Sequence, residues 1–204
     1  MARTRTVLGL DIGTWGVRAV ELTGGGDSFT VTGVGWERIP SPDLLGETIL
    51  AVINNNRLNA RTLVTSVSGR SVIVRYVNMM SMPKAELEQA VRYEADKYIP
   101  YDVSEVQMAC QQLNMLEGNQ VRVLLVAAKK QLMDDHVALL KGVGLYPAII
   151  DVDLFALGNA FEACNLKGSL AKEGEAVALE DIGASNTSIC IVMGASDCFT
   201  REIN

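Results

Sequence analysis

Asp-Ile-Gly occurs twice in this chain, at residues 11–13 and again at 181–183. Each copy lies between apolar runs: VLGLDIGTWGVRAVEL over 7–22 and AVALEDIGASNTSICIVM over 176–193. Each is followed by a glycine-bearing turn and a third strand-like run. A meander duplicated at a separation of 170 residues, with other elements between the copies, restricts the chain to folds built from two related halves.

The residue types in the copies point to chemistry. Glycine lets a backbone approach a ligand closely, and successive amides at a tight turn form an anion-binding nest. Thr14, and Thr187 or Asn186, add side-chain donors beside the turns. An acid next to an anion site makes sense when the anion carries a metal, because Mg²⁺ is often held through one or two carboxylates plus phosphate oxygens. Two such hairpins facing each other would clamp a nucleotide's phosphates. A single Asp-x-Gly between strands is mostly structural; the duplication makes the phosphate reading the stronger one.

Between the copies the pattern of elements is mixed. Strands are predicted over 6–11, 16–23 and 29–39, with a turn at Gly24-Gly25-Gly26-Asp27. A helix led by Ser41-Pro42-Asp43 follows, with Leu44, Leu45, Ile49, Val52 and Ile53 as its apolar face. A strand over 62–68 completes a first-lobe core, residues 1–70. Residues 71–130 read as a small α+β unit of their own. It comprises a strand 71–78, a helix 83–99 stopped by Pro100, and strands 106–116 and 120–129 joined at Glu117-Gly118-Asn119. Residues 131–165 return to the first lobe with a helix 131–143, a strand 146–151 and a helix 153–165. Residues 166–175 read as a linker, and 176–204 open a second lobe with a turn at Gly194-Ala195-Ser196.

Composition excludes several functions. The net charge of −6 argues against nucleic-acid binding by the chain as a whole. Cys110, Cys164, Cys190 and Cys198 show no CxxC spacing, and with the single His136 they make a poor metal set, which suits a reduced cytoplasmic setting. No run approaches the roughly 18 uninterrupted apolar residues of a membrane helix, so membrane attachment is expected through a partner. His136 is expected at the surface.

The plan resembles the actin-like ATPase superfamily. DIGTWGVR (11–18) is similar to its first phosphate motif, DIGASNT (181–187) to its second, and DVDLFALGNA (151–160) to its first connecting helix. Within the superfamily the chain resembles the PilM family of type IV pilus assembly proteins. VLGLDIGTWGVRAVEL, MPKAELEQAVRYEADKYIPYDVSEV (82–106) and DIGASNTSICIVMGASDCFTREI (181–203) carry that resemblance.

The resemblance implies an α/β, actin-like (ribonuclease H-like) fold with an inserted α+β subdomain and an incomplete second lobe. It implies a cytoplasmic ATP- and Mg²⁺-binding scaffold, peripheral to the bacterial inner membrane and at most a slow ATPase. Its expected partners are the N-terminal cytoplasmic tail of a PilN-like membrane protein and other pilus machinery. Asp11 and Asp181 are implied to hold Mg²⁺ or its waters, while Gly13, Thr14, Trp15 and Arg18 meet the inner phosphates. Gly183, Ala184, Asn186 and Thr187 are implied to meet the outer ones. Asp151 or Asp153 is left to orient an attacking water, and both remain open.

Some readings stay divided. Arg18 stands where relatives have lysine, and Trp15 either packs on the neighbouring strand or meets nucleotide. Tyr98, Ile99 and Tyr101 are core residues by default and candidates for the partner groove, placed in the 71–130 unit. Family members extend past the point reached at Asn204, where the adenosine pocket is expected, so nucleotide binding is expected to be weak or absent. The competing readings are a small-molecule kinase of the sugar-kinase branch, and a relative serving type II secretion or cell division.

Overall fold

Alternation of buried and exposed residues builds the first meander. Leu8 and Leu10 of β1 (Arg5–Ile12) and Val17 and Ala19 of β2 (Gly16–Gly25) are buried on one face. β3 (Ser28–Arg38) completes the antiparallel set, with Asp11 opposite Arg18 and Val20 opposite Val34. The computed structural model describes residues 5–25, 28–164, 175–193 and 197–203. Residues 166–174 of the expected linker 166–175, and the centres of the turns at 24–27 and 194–196, lie outside the described residues.

The helix after β3 begins later than its leading Ser-Pro-Asp suggests. Pro42–Leu44 forms a 3₁₀ turn, closed by the Leu44 N–H donating to the Ser41 carbonyl at 3.0 Å, and Ser41 makes no side-chain cap. α1 then runs Leu45–Asn55. Its Ile49 and Val52 pack against Leu8, Leu10, Val17 and Ala19, joined by Leu140 of α3 (Lys130–Gly142). β3 passes so close to this helix that a Cβ on Gly35 would lie 2.6 Å from the Asn56 amide nitrogen and 3.0 Å from Val52.

β4 (Thr62–Val67) and β8 (Pro147–Val152) lie parallel to β1, giving the order β3-β2-β1-β4-β8. Glu21, at a register shift in β2, ties the sheet to the loop before β4. Its carboxylate accepts from the N–H groups of Asn59 and Ala60 at 2.7 and 2.8 Å and from the Thr32 hydroxyl at 2.9 Å. The Asn59 N–H, then the Thr32 hydroxyl, hold its carboxyl below the usual range.

A second, three-stranded sheet is inserted after β4. β5 (Val72–Met80), β6 (Val106–Leu116) and β7 (Gln120–Lys129) take the order β5-β7-β6, with α2 (Lys84–Glu94) across one face. Leu87 and Val91 of α2 bury against Val77, Val106, Val121, Val123 and Leu125. The helix expected to reach Ile99 tightens to 3₁₀ geometry at Ala95–Lys97. Proline disfavours α geometry in the residue before it, and the N–H groups of Tyr98 and Ile99 both turn back to the Ala95 carbonyl.

His136 is half-buried on α3 rather than at the surface. Its Nε2 lies 3.1 Å from the hydroxyl of Thr65, which is itself buried in β4. Burial pushes its pKa down.

α4 (Asp153–Cys164) leads from β8 and packs on β10 of a third sheet. That sheet is β9 (Ala176–Ile182), β10 (Thr187–Met193) and β11 (Asp197–Ile203), in the order β11-β10-β9.

Candidate functional site

The two Asp-Ile-Gly hairpins have the same backbone. The Gly13 N–H donates to the Gly16 carbonyl at 3.0 Å, and the Gly183 N–H to the Asn186 carbonyl at 2.9 Å. The last strand pair is Ile12 with Val17 in one and Ile182 with Thr187 in the other. A Cβ on Gly183 would sit 2.9 Å from the carbonyl that closes its turn, closer than side chains tolerate, and one on Gly13 would sit 3.2 Å from its carbonyl, a tight contact. The turn closure also occupies the Gly13 and Gly183 amides. The amides of the tip residues, Thr14-Trp15 and Ala184-Ser185, are the ones not used in closing the turns.

These tips touch. The Thr14 and Ser185 hydroxyls lie 2.7 Å apart, bringing the two copies together across the chain. Ser185 was not among the residues singled out by sequence, although its place in DIGASN is the second residue past the glycine, as Trp15 is in the first copy.

The acids differ where the backbones agree. Asp11 is bound to Arg18, its cross-strand neighbour, at 2.8 Å, and both side chains are about half exposed. The matching neighbour of Asp181 is Ser188, which is buried, and Asp181 has no ion pair among the described residues. Asn186 donates its amide to Glu202 of β11, which leaves Thr187 and Ala184 as the less engaged residues of the second hairpin. Nothing local in the sequence announced Glu202; it arrives through the pairing of β11 with β10.

Trp15 packs on a neighbour. Its ring lies 5.5 Å from that of Trp36, and the Arg38 guanidinium sits 5.1 Å from its centre on the ring face.

Asp153 and Asp151 separate into different hollows. Asp153 begins α4 and lines a cleft of about 500 Å³ together with Ser68, Tyr76, Ser188, Arg201 and Glu202. Its carboxylate accepts from the Leu154 N–H at 2.6 Å. Burial pushes its pKa up, and the nearby carboxylates of Glu202 and Asp181 add to the rise. Asp151 folds onto the Val152 N–H at 2.8 Å and lines a second hollow, of about 460 Å³, between β8 and β6.

Ile99 is a core residue at 5 % exposure, which corrects its expected place in a partner groove: its side chain fills the space under α2. Tyr98 and Tyr101 pack on the same core. The Tyr98 hydroxyl donates to Glu94 at 3.3 Å, the Tyr101 hydroxyl to the Arg70 carbonyl at 3.2 Å, and the Lys129 ammonium lies 4.3 Å from the Tyr101 ring centre.

The family model for type IV pilus assembly protein PilM matches residues 9–204. The chain belongs to the PilM family. A solved PilM–PilN type IV pilus biogenesis complex matches this PilM-family chain with a TM-score of 0.84 at 29 % identity, covering 97 % of this chain and 61 % of that chain. The PilM-family chain therefore spans about three-fifths of that relative's length. The cytoplasmic domain of EpsL, an inner membrane component of the type II secretion system of Vibrio cholerae, matches with a TM-score of 0.59 at 14 % identity. That match covers 97 % of this chain and 71 % of that one, and bears on the fold alone. The paired meanders, the sheet order and these matches give an actin-like ATPase fold. Among the described residues no helix is long and apolar enough to cross a membrane.

Proposed function

We propose that this PilM-family chain is a nucleotide-regulated scaffold of type IV pilus assembly, holding MgATP between its two hairpins. The observation that carries this reading is the Thr14–Ser185 contact between turns of identical closure. The donor set suits Mg²⁺, which takes few protein carboxylates and keeps phosphate and water as other ligands. Bound there, the ion neutralises phosphate charge. Asp181, free of an ion pair among the described residues, is the acid available to it; Asp11 becomes available when Arg18 turns from it to a phosphate oxygen. The tip amides of Thr14, Trp15, Ala184 and Ser185 take up anionic oxygens. Asp153 is the acid placed to orient a water, because it lines the cleft with Ser188 and Glu202, whereas Asp151 faces the other hollow. Calorimetric titration with MgATP tests the reading: weak binding lost in Asp181→Asn supports it, and binding indifferent to Asp181→Asn and Thr14→Val overturns it.

The second hollow supports the partner half of the reading. β6 and β8 are edge strands of their sheets and face each other across a space lined by Val67, Met108, Val126, Ala148, Ile150 and Phe155. An extended apolar tail fits such a site, taking main-chain hydrogen bonds from an edge and side-chain pockets from the floor. We place the N-terminal cytoplasmic tail of a PilN-like membrane protein there, which locates the scaffold at the inner face of the membrane. A synthetic tail peptide that loses affinity on Ala148→Arg, with the thermal midpoint unchanged, supports this placement; unchanged affinity rejects it.

A further inference from the structure

β6 ends the inserted sheet, and its outer side pairs with no strand among the described residues. On the α2 side a trough follows this free edge as two adjoining hollows of about 250 and 230 Å³. Its floor is Leu87, Val91, Met108 and Cys110, and its rim is Lys84, Glu88 and Arg92 of α2. Lys84 borders the Gln112 end and Arg92 the Met108 end, so helix and strand run in opposite directions. The regular edge runs over Val106–Gln112 and ends at the register shift after Gln112.

The charges along the rim select the occupant. Glu88 is 4.0 Å from Lys84, while Arg92 has no ion pair or hydrogen bond among the described residues. A second copy pairing antiparallel through β6 would set Lys84 against Arg92 of its partner and Glu88 against Glu88, all like charges, which oppose that pairing. A strand carrying acids is favoured instead. The rise from Lys84 to Arg92 along a helix is about 12 Å, and four residues of strand span about 13 Å.

We propose that this trough is a docking site for an extended acidic peptide of a partner protein. The peptide adds as a strand to β6, with two carboxylates four residues apart on the side facing α2 and an apolar residue midway between them. The trough is offset along β6 from the β6–β8 hollow: Cys110, Gln111 and Gln112 line only the trough and Gln107 only the hollow, while Met108 and Ala109 border both.

The probe is the fluorescein-labelled heptapeptide Thr-Glu-Thr-Val-Thr-Glu-Thr, followed by anisotropy at low salt. The expected result is saturable binding, weakened about tenfold or more by Arg92→Glu and by added salt, with no binding of the lysine-for-glutamate peptide. Bound peptide also slows maleimide labelling of Cys110 relative to exposed Cys164. Both substitutions at the rim, Lys84→Glu and Arg92→Glu, are at the surface of α2 and leave its buried face intact. Absence of saturable binding, or binding indifferent to Arg92→Glu, overturns the proposal. A sedimenting dimer that Arg92→Glu dissolves assigns the trough to a second copy and overturns it too.

Discussion

The hydroxyls of Thr14 and Ser185 meet at 2.7 Å at the tips of two hairpins with the same turn. The contact closes the mouth between the hairpins with a single exposed hydrogen bond. Such a bond is a weak latch, worth about 0.5–1.5 kcal/mol net. Thr14→Val and Ser185→Ala each lower stability by no more than about 1 kcal/mol, and the double variant is no worse than the poorer single one, since both remove the same bond. Chemical denaturation of the three variants checks this; additive losses would show that the hydroxyls act separately.

Gly35 is required by its neighbours. A methyl there meets the Asn56 amide nitrogen at 2.6 Å, and that amide is held by donating 2.8 Å to the Val52 carbonyl, so it does not yield freely. Gly35→Ala costs about 1–3 kcal/mol through overpacking. Gly158, within α4 and with nothing within 4 Å, is the control: alanine there raises stability by about 0.5–1 kcal/mol. Denaturant midpoints with unchanged slopes distinguish the two outcomes.

Half-burial of His136 makes stability depend on pH in a defined direction. The unfolded chain takes up a proton near the ordinary value of 6.5, and the folded chain only at lower pH. Between those values the unfolded state holds more protons, so stability falls as the pH drops through the window and is fully present above it. Thermal midpoints recorded across this range decline on acidification, and His136→Gln flattens the decline.

Asp153 acts with the opposite sign. Its carboxyl titrates higher in the folded chain than the ordinary 3.8, because burial penalises its charge. Between the two values the folded chain holds the extra proton, so stability falls as the pH rises through the window and stays lowered above it. Asp153→Asn keeps the shape and removes the charge, so it raises the thermal midpoint at about pH 7 and changes it little at about pH 3. A midpoint at neutral pH that falls instead would show that the charge is compensated.

The elements made by alternation and turn residues were legible in the sequence. β6 and β7 coincide with their expected bounds and meet at the expected Glu117-Gly118-Asn119 turn, because register there follows from local chemistry. The duplication itself was legible, since both copies keep the glycine at the close approach. Effects across the chain were not. Asn186 binds Glu202 and His136 binds Thr65 because strands and helices remote in sequence come together. Ile99 is core by default in sequence and a groove candidate only because it leaves the helix beside two tyrosines; the 3₁₀ turn before Pro100 settles it in the core. Asp151 and Asp153 look equivalent in sequence and separate only when β8 ends between them.

The two hairpins are copies in backbone and differ in charge. Asp11 is neutralised by Arg18 at 2.8 Å, while Asp181 faces the uncharged Ser188. Duplication alone would leave a cleft whose walls are interchangeable, indifferent to which way round a ligand enters. The single difference between Arg18 and Ser188 removes that indifference. A ligand with a cationic end and an anionic end has one preferred heading between these walls, its positive end toward Asp181 and its negative end toward Arg18. One residue in the first copy thus gives a direction to a site whose framework is a repeat.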